Sequence, residues 1–304
     1  MKWGFGLAAR LGLSAGLESF TIPLKADDPF VRFLAEVAQT DQPQFAMLAG
    51  NPNAPGQRCI FLVFDTKDKP AAVVKTGAGA DGKRLITQEI DFLKHAPQAL
   101  PGLPKLRAIF ENDQLSAFAM DFYDGVSPRH NNQSSLHKIL SAWAEPPRSA
   151  RVSELPVWKR LLSETGSRLS PRARELGGKT VCSVTMHGDF APWNIRIKGG
   201  NWTVLDWERG DTNGLPLWDW LHFLIQPAVL VAHANPKQVV NRVKELIRNP
   251  LFIQYMEKTK TRGLEIPLIS AYLDHCIYVI RQTEGLETMQ AVARIFSSQE
   301  NSIL

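Results

Sequence analysis

The sequence has little cysteine, no strongly basic run and no uninterrupted apolar span. Three cysteines, Cys59, Cys182 and Cys276, occur in 304 residues. They are odd in number, far apart and without C-x-x-C spacing, which excludes a disulfide framework or a metal knuckle and leads us to expect a reducing compartment, the cytoplasm. No five consecutive residues are Lys or Arg. The most basic stretch, 237–262, is broken by Glu245 and Glu257 and reads as a helical surface, so the net charge of +5 is not a nucleic-acid signature. The longest apolar region, 215–233, contains Asp219, His222 and Pro227, which a membrane span would not tolerate, and no membrane partner is expected. The apolar stretch at 1–17 is interrupted by Arg10 and followed by no clear cleavage site, so a secretory signal is not expected either. Gly4-Phe5-Gly6-Leu7-Ala8-Ala9 matches G-x-G-x-x-A only superficially, because no strand can precede it. Internal repeats and low-complexity tracts are absent.

What is present is ordinary for a globular enzyme: 44% hydrophobic and 21% charged residues, in a length that suggests about two domains or lobes. Residues 1–40 read as an N-terminal extension. From Asp41 the pattern is strand (45–48), turn-rich loop (51–56), strand (59–64), turn, and a third strand (71–75), together an antiparallel meander. A helix is expected over 83–95, where Leu85, Ile86, Ile90 and Leu93 recur at helical spacing with Glu89 at the edge of the stripe. Two more strands, 106–110 and 115–120, complete a small domain of five strands and one helix, 41–124. Beyond Ser127-Pro128 the chain turns mainly helical, over 135–144, 156–168, 171–176, 218–231, 236–248, 266–281 and 286–297, a second domain of 125–304. The expected fold is α+β and bilobal.

The most informative segment lies in the second domain. Thr185 to Asn194 reads TMHGDFAPWN, followed by a short strand, a glycine turn at Gly199-Gly200, and a strand ending in Leu205-Asp206-Trp207-Glu208. The spacing His187-x-Asp189-x-x-x-x-Asn194 is that of a kinase catalytic loop, and the expected position of the second carboxylate, on the strand that follows, is that of a metal-binding Asp. Two carboxylates and an amide can then converge on one cleft, in a reaction that depends mainly on positioning and neutralisation of charge. His187 and His222 are expected to be structural rather than metal ligands, since neither has a second His at i+4 or a Cys partner. Trp193, Trp207, Trp218 and Trp220 are expected in the core and cleft wall.

His187-Gly188-Asp189 through Asn194, together with Leu205-Asp206-Trp207-Glu208, resembles the aminoglycoside phosphotransferase and choline kinase group of protein-kinase-like enzymes. Gly188, where protein kinases carry Arg, points to this small-molecule branch. The resemblance covers about 45–225 and implies a protein-kinase-like fold. It also implies roles: Asp189 accepts or orients the proton of the acceptor hydroxyl, Asn194 and Asp206 hold Mg²⁺ against the phosphates of ATP or GTP, and His187 shapes the loop. Lys75 matches the phosphate-binding Lys, and Glu89 its ion-pair partner. Met120, Asp121, Phe122 and Tyr123 would form the hinge against which the base hydrogen-bonds. Asp219, in Pro216-Leu217-Trp218-Asp219, matches a P-x-x-D element that ties the next helix to the catalytic loop. The loop 50–56 departs from the kinase pattern in lacking G-x-G-x-x-G, and Asn51 to Gly56 is expected only as a lid.

The implied partners are a nucleoside triphosphate and a small molecule carrying a hydroxyl: a sugar, a sugar-containing metabolite, an amino alcohol or an aminoglycoside-type antibiotic. The C-terminal region has no acidic excess, which favours a neutral or anionic acceptor over a polycation, although Glu208, Asp211, Asp274 and Glu284 could converge on an amine. A nucleotide-binding pseudokinase or regulatory module is the alternative reading. The sequence is silent on oligomeric state.

Overall fold

A computed structural model describes residues 25, 27–49, 56–129, 132–281 and 284–298. The glycine-containing stretch at 4–9 and the expected lid residues 51–55 lie outside the described residues.

The small lobe is built on an antiparallel sheet. Among the described residues its strands are β1 (Phe45–Ala49), β2 (Gln57–Phe64), β3 (Pro70–Ala78), β4 (Leu106–Glu111) and β5 (Leu115–Asp121), in the order β1-β2-β3-β5-β4. The first three form the expected meander. Strand β3 continues three residues past Lys75, which therefore sits inside the strand and opposite Phe118 of β5 rather than at its end. Side chains alternate between faces along a strand, and the alternation decides what Lys75 sees. Ala72 and Val74 of β3, with Ala117 and Ala119 of β5, point to one apolar cluster, while Val73, Phe118 and Met120 belong to the other. Lys75 shares the face of Val73, towards the cleft.

The outer face of the sheet is covered by a helix that the sequence reading did not separate from the N-terminal extension: α1, Pro29–Ala38. Asp28 caps it, its carboxylate accepting the Phe30 and Val31 N–H groups at 2.8 and 3.3 Å, with Pro29 in the first turn, a favourable start for a helix. Phe33, Leu34, Val37 and Ala38 are buried against Val63, Ala72 and Val74. Among the described residues the small lobe thus carries two helices.

The second, α2 (Gly79–His95), packs on the cleft face. The turn from β3 is so tight that a Cβ on Gly77 would lie 2.1 Å from the Gly82 carbonyl oxygen, a contact no other residue could make. Helix α2 buries Ile86, Glu89, Ile90, Phe92 and Leu93. Its apolar residues belong to the same cluster as the large-lobe core, so the lobes share a continuous interior. At that junction the Phe92 ring stacks on Trp207, centroids 4.5 Å apart and planes 9° from parallel.

The large lobe contains α3 (Gln133–Trp143), β6 (Arg148–Arg151), α4 (Pro156–Thr165), α5 (Pro171–Arg174), β7 (Thr180–Met186), β8 (Ile195–Lys198), β9 (Asn201–Val204) and β10 (Asp211–Gly214). It continues with α6 (Trp218–Leu230), α7 (Pro236–Ile247), α8 (Pro250–Lys258), α9 (Glu265–Asp274), a π-helical turn over His275–Ile280, and α10 (Leu286–Ser298). Helix α8 lies in the stretch read as a helical surface, but the sequence reading gave it no bounds of its own. Its start is set by Asn249, which accepts the Leu251 N–H at 2.9 Å. The β8–β9 hairpin and the end of β7 hold the polar segment 187–194 between them. Trp207, Trp218 and Trp220 are buried and Trp193 is half-buried, as expected of core and cleft wall. Among the described residues the three cysteines are free, and no helix is long and apolar enough to cross a membrane.

Candidate active site

The cleft residues are held by short-range chemistry that starts at the backbone. After β7 the chain turns sharply at Gly188, whose φ of 76° lies in the left-handed region. A Cβ there would also meet the Arg209 carbonyl oxygen at 2.8 Å, so glycine is required twice over. Helix α6 fastens this turn. Asp219, in its first turn, accepts the N–H of His187 at 2.6 Å and of Gly188 at 2.9 Å. Burial pushes the Asp219 carboxyl up to about 6 despite these two bonds.

His187 is fully buried. Its Nε2 lies 2.9 Å from the Leu205 carbonyl oxygen, and the Asp189 N–H donates to its Nδ1 at 3.2 Å. The ring therefore donates through Nε2 and accepts through Nδ1, the pattern of a neutral imidazole. Burial depresses its pKa to about 4, consistent with that form. It spans the loop between Leu205 and Asp189, and its ring meets Trp207 edge-on at 4.6 Å.

Asp189 is anchored through both carboxylate oxygens. Oδ2 accepts from Asn194 Nδ2 at 3.0 Å, and Asn194 also reaches the Asp189 carbonyl oxygen at 2.9 Å. Oδ1 lies 3.0 Å from His222 Nε2. Burial raises the pKa of this carboxyl, but the hydrogen bond from His222 and the charge of Arg209 outweigh that and hold it below the usual range. His222 was read from the sequence as a structural histidine. The structure places it, from one turn further along α6 than Asp219, directly on Asp189. The only sequence signal was the i, i+3 spacing of Asp219 and His222, which puts two polar groups on one face of an otherwise apolar helix.

Asp206 lies two residues beyond β9, in a loop and at a φ of 75°, and not on the strand where the sequence reading put it. The left-handed turn brings its Oδ1 to 2.8 Å from Lys75 Nζ. Lys75 also binds both oxygens of Glu89, at 2.7 and 2.8 Å. Burial alone would lower the Lys75 pKa, but the Asp206 and Glu89 carboxylates more than reverse this and hold it charged. Glu89, 1% exposed, is pushed up by burial and held against it by Lys75. It also accepts the Trp207 N–H at 3.1 Å, so one carboxylate grips the strand lysine and the loop that carries Asp206. A second bridge between the lobes, Arg58 of β2 to Glu208, was not foreseen.

The four expected hinge residues run from the end of β5 into the connector. The Phe122 N–H is already used by the Ala71 carbonyl oxygen at 3.1 Å, which removes one donor from that set. Asp121 pairs with Arg107, and the Tyr123 hydroxyl accepts the Lys105 N–H at 2.7 Å.

The donor set suits a hard divalent cation. Asn194 spends its amide nitrogen on Asp189, so its carbonyl oxygen is the atom that could face a metal. Asp206 commits one oxygen to Lys75, and its side chain is about a third exposed. One or two carboxylates, supplemented by an amide oxygen and phosphate oxygens, is the usual protein contribution to a Mg²⁺ site. Among the described residues no group of three His, Cys, Asp or Glu forms a metal cage.

No protein-family model matches the sequence, and no curated protein does. Solved structures do match in fold. A thermostable mutant aminoglycoside phosphotransferase, in ternary complex with ADP and hygromycin B, superposes with a TM-score of 0.53 at 13% identity, over 89% of this chain and 99% of that one. A choline kinase from Cryptosporidium parvum Iowa II gives 0.50 at 12% identity, over 83% and 88%. A protein assigned as a fructosamine-3-kinase from Haemophilus somnus 129PT gives 0.50 at 12% identity, over 88% and 96%. The fold is the α+β, kinase-like one that the motif resemblance implied.

Proposed function

We propose that the protein is a phosphotransferase that moves the γ-phosphoryl group of ATP or GTP onto a hydroxyl of a small molecule. One observation carries the reading: Lys75, Glu89 and Asp206 meet in a single ion cluster, open to solvent mainly at Asp206, and Asp189 and Asn194 are bonded to each other on the adjoining loop. The likeness in fold to small-molecule kinases supports it.

In this reading Lys75 binds the phosphates, Glu89 aims it, and Met120 to Tyr123 border the base. Asn194 and Asp206 would hold Mg²⁺, which when bound neutralises phosphate charge. Asp189 takes the proton of the acceptor hydroxyl as its oxygen bonds to the γ-phosphorus. The bond from that phosphorus to the bridging oxygen breaks, and its electron pair leaves with the nucleoside diphosphate. Asp219 and His187 keep the loop in shape. Arg209, exposed and packed against Gly188, adds a positive charge that Asp189 feels, which favours a neutral or anionic hydroxyl compound such as a sugar derivative over a polycationic antibiotic.

Calorimetric titration with ATP and GTP, with and without Mg²⁺, tests the nucleotide site. Mg²⁺-dependent binding that weakens in Asp206→Asn is the expected outcome, and no binding of either nucleotide would sink the proposal. Screening transfer to sugars, amino alcohols, choline and aminoglycosides then identifies the acceptor.

A further inference from the structure

We infer that His222 is a positioning residue for Asp189, the end of a buried donor chain that fixes which way the catalytic carboxylate faces. The inference rests on the phosphotransferase reading and goes beyond it, because His222 lies outside the catalytic-loop motif and binds the Asp189 oxygen that Asn194 does not.

The geometry begins with helix α6, which meets the catalytic loop twice. Asp219 binds the backbone of His187 and Gly188, and His222, one turn later, binds the side chain of Asp189 at 3.0 Å. An ionised carboxylate can only accept, so the proton between them belongs to His222 Nε2. In the tautomer whose single ring proton is on Nε2, Nδ1 is the accepting atom, and the Tyr272 hydroxyl of α9 stands 3.3 Å from it. Burial raises the Tyr272 pKa well above its ordinary value, which keeps this hydroxyl protonated and able to donate. The Tyr272 oxygen in turn accepts from Gln226 Nε2 at 3.4 Å. Gln226, Tyr272 and His222 therefore donate in sequence towards Asp189.

The chain is also rigid. His222 is 4% exposed, Gln226 2% and Tyr272 1%. The space lined by His222, Tyr272, Asp219 and Gly188 is about 10 Å³, at the threshold for a single water. The other titratable groups facing His222 are His187 and Asp219 on the loop side and His275 beyond α9. Asn194 holds one oxygen of Asp189 and His222 the other, so rotation of the carboxylate is blocked from both sides. This matters because proton transfer in the transition state needs the accepting oxygen within hydrogen-bond reach of the attacking hydroxyl. Without His222 the carboxylate loses the bond that fixes its Oδ1.

The test compares His222→Leu, which has no donor, with His222→Gln, which restores an N–H at similar reach. The probe is MgATP with water as acceptor, read as ADP release, together with MgATP affinity by calorimetry. In His222→Leu, kcat is expected to fall by about 10- to 100-fold, the worth of one hydrogen bond to a charged group, with MgATP affinity within about twofold of wild type. His222→Gln is expected to recover most of the loss. A folded His222→Leu with wild-type kcat, or a His222→Gln as impaired as His222→Leu, overturns the inference while leaving the phosphotransferase reading intact. A wild-type protein that neither binds nor turns over MgATP overturns that reading instead, and the catalytic role of His222 with it. Should His222→Leu fail to fold, ¹⁵N NMR of the wild-type histidines decides: a protonated Nε2 on His222, lost as a resonance in His222→Gln, is expected, and a bare Nε2 contradicts the chain.

Discussion

Lys75 Nζ lies 2.8 Å from Asp206 Oδ1 and 2.7 Å from Glu89 Oε1, so one buried ammonium ties strand β3 of the small lobe to helix α2 and to the loop after β9 of the large lobe. The Trp207 N–H on Glu89 closes the arrangement. The lobes are therefore joined by the same charges that are proposed to receive the nucleotide, and perturbing them has both structural and functional consequences.

Lys75→Met leaves Glu89, almost fully buried, without its cation. Removing one partner of a buried pair costs about 3–5 kcal/mol, and the partial exposure of Asp206 places the expected loss at the low end of that range. Urea denaturation measures it, and calorimetry is expected to show MgATP affinity reduced at least about tenfold, the equivalent of about 1.4 kcal/mol. Unchanged affinity would remove Lys75 from the nucleotide site.

Trp207 is fully buried between Phe92, Trp143 and His187. Trp207→Ala is expected to cost about 3–5 kcal/mol, the range for deleting a buried large aromatic. Chemical denaturation checks this, and a loss below 1 kcal/mol would mean that the lobes do not depend on this stack.

Gly188→Ala combines a left-handed backbone with a Cβ 2.8 Å from the Arg209 carbonyl oxygen. A strained residue of this kind costs about 1–3 kcal/mol. Because the strain falls between His187 and Asp189, turnover is expected to drop more than global stability does. A variant with wild-type turnover would show that the loop tolerates the shift.

Much of this was legible in the sequence, for identifiable reasons. The strands of the small lobe are short apolar runs set off by turn residues, and α2 carries an apolar stripe with Glu89 on its edge, so their types and sequence along the chain could be read. The motif from His187 to Asn194 is dense enough to be read without a structure. Helix α1 was missed because its amphipathic segment follows a stretch that reads as a leader, and only packing on the far side of the sheet reveals its place. Asp206 was put on a strand because the residues before it are apolar and β-prone, whereas the left-handed turn that lets it reach Lys75 has no glycine to announce it. His222 was undervalued because its partners, Asp189 and Tyr272, are 33 and 50 residues away, and its spacing from Asp219 was the one local signal of its use.

Burial gives His187 a pH dependence of defined sign. Its pKa falls from 6.5 to about 4 on folding, so between those values the unfolded chain holds a proton that the folded chain does not. Its contribution to stability is complete above pH 6.5, declines as pH falls and is gone below about 4. Asp219, raised from 3.8 to about 6, acts in the opposite sense: the folded chain holds the extra proton, so its contribution is full below 3.8 and lost as pH rises through 6. The difference in unfolding free energy between wild type and His187→Gln separates the two, and it is expected to shrink from pH 7 to pH 4. A difference that stays constant or grows would mean that His187 titrates as an exposed imidazole does.

The central claim is that Asp189 accepts the proton of the attacking oxygen while taking no direct part in holding the nucleotide. It is tested most directly by pairing MgATP affinity with the rate of ADP release in wild type and Asp189→Asn. Near-identical affinity with a rate lowered by about 10²–10⁴-fold, the range for a lost general base, is the predicted result. Equal rates in the two proteins would contradict it.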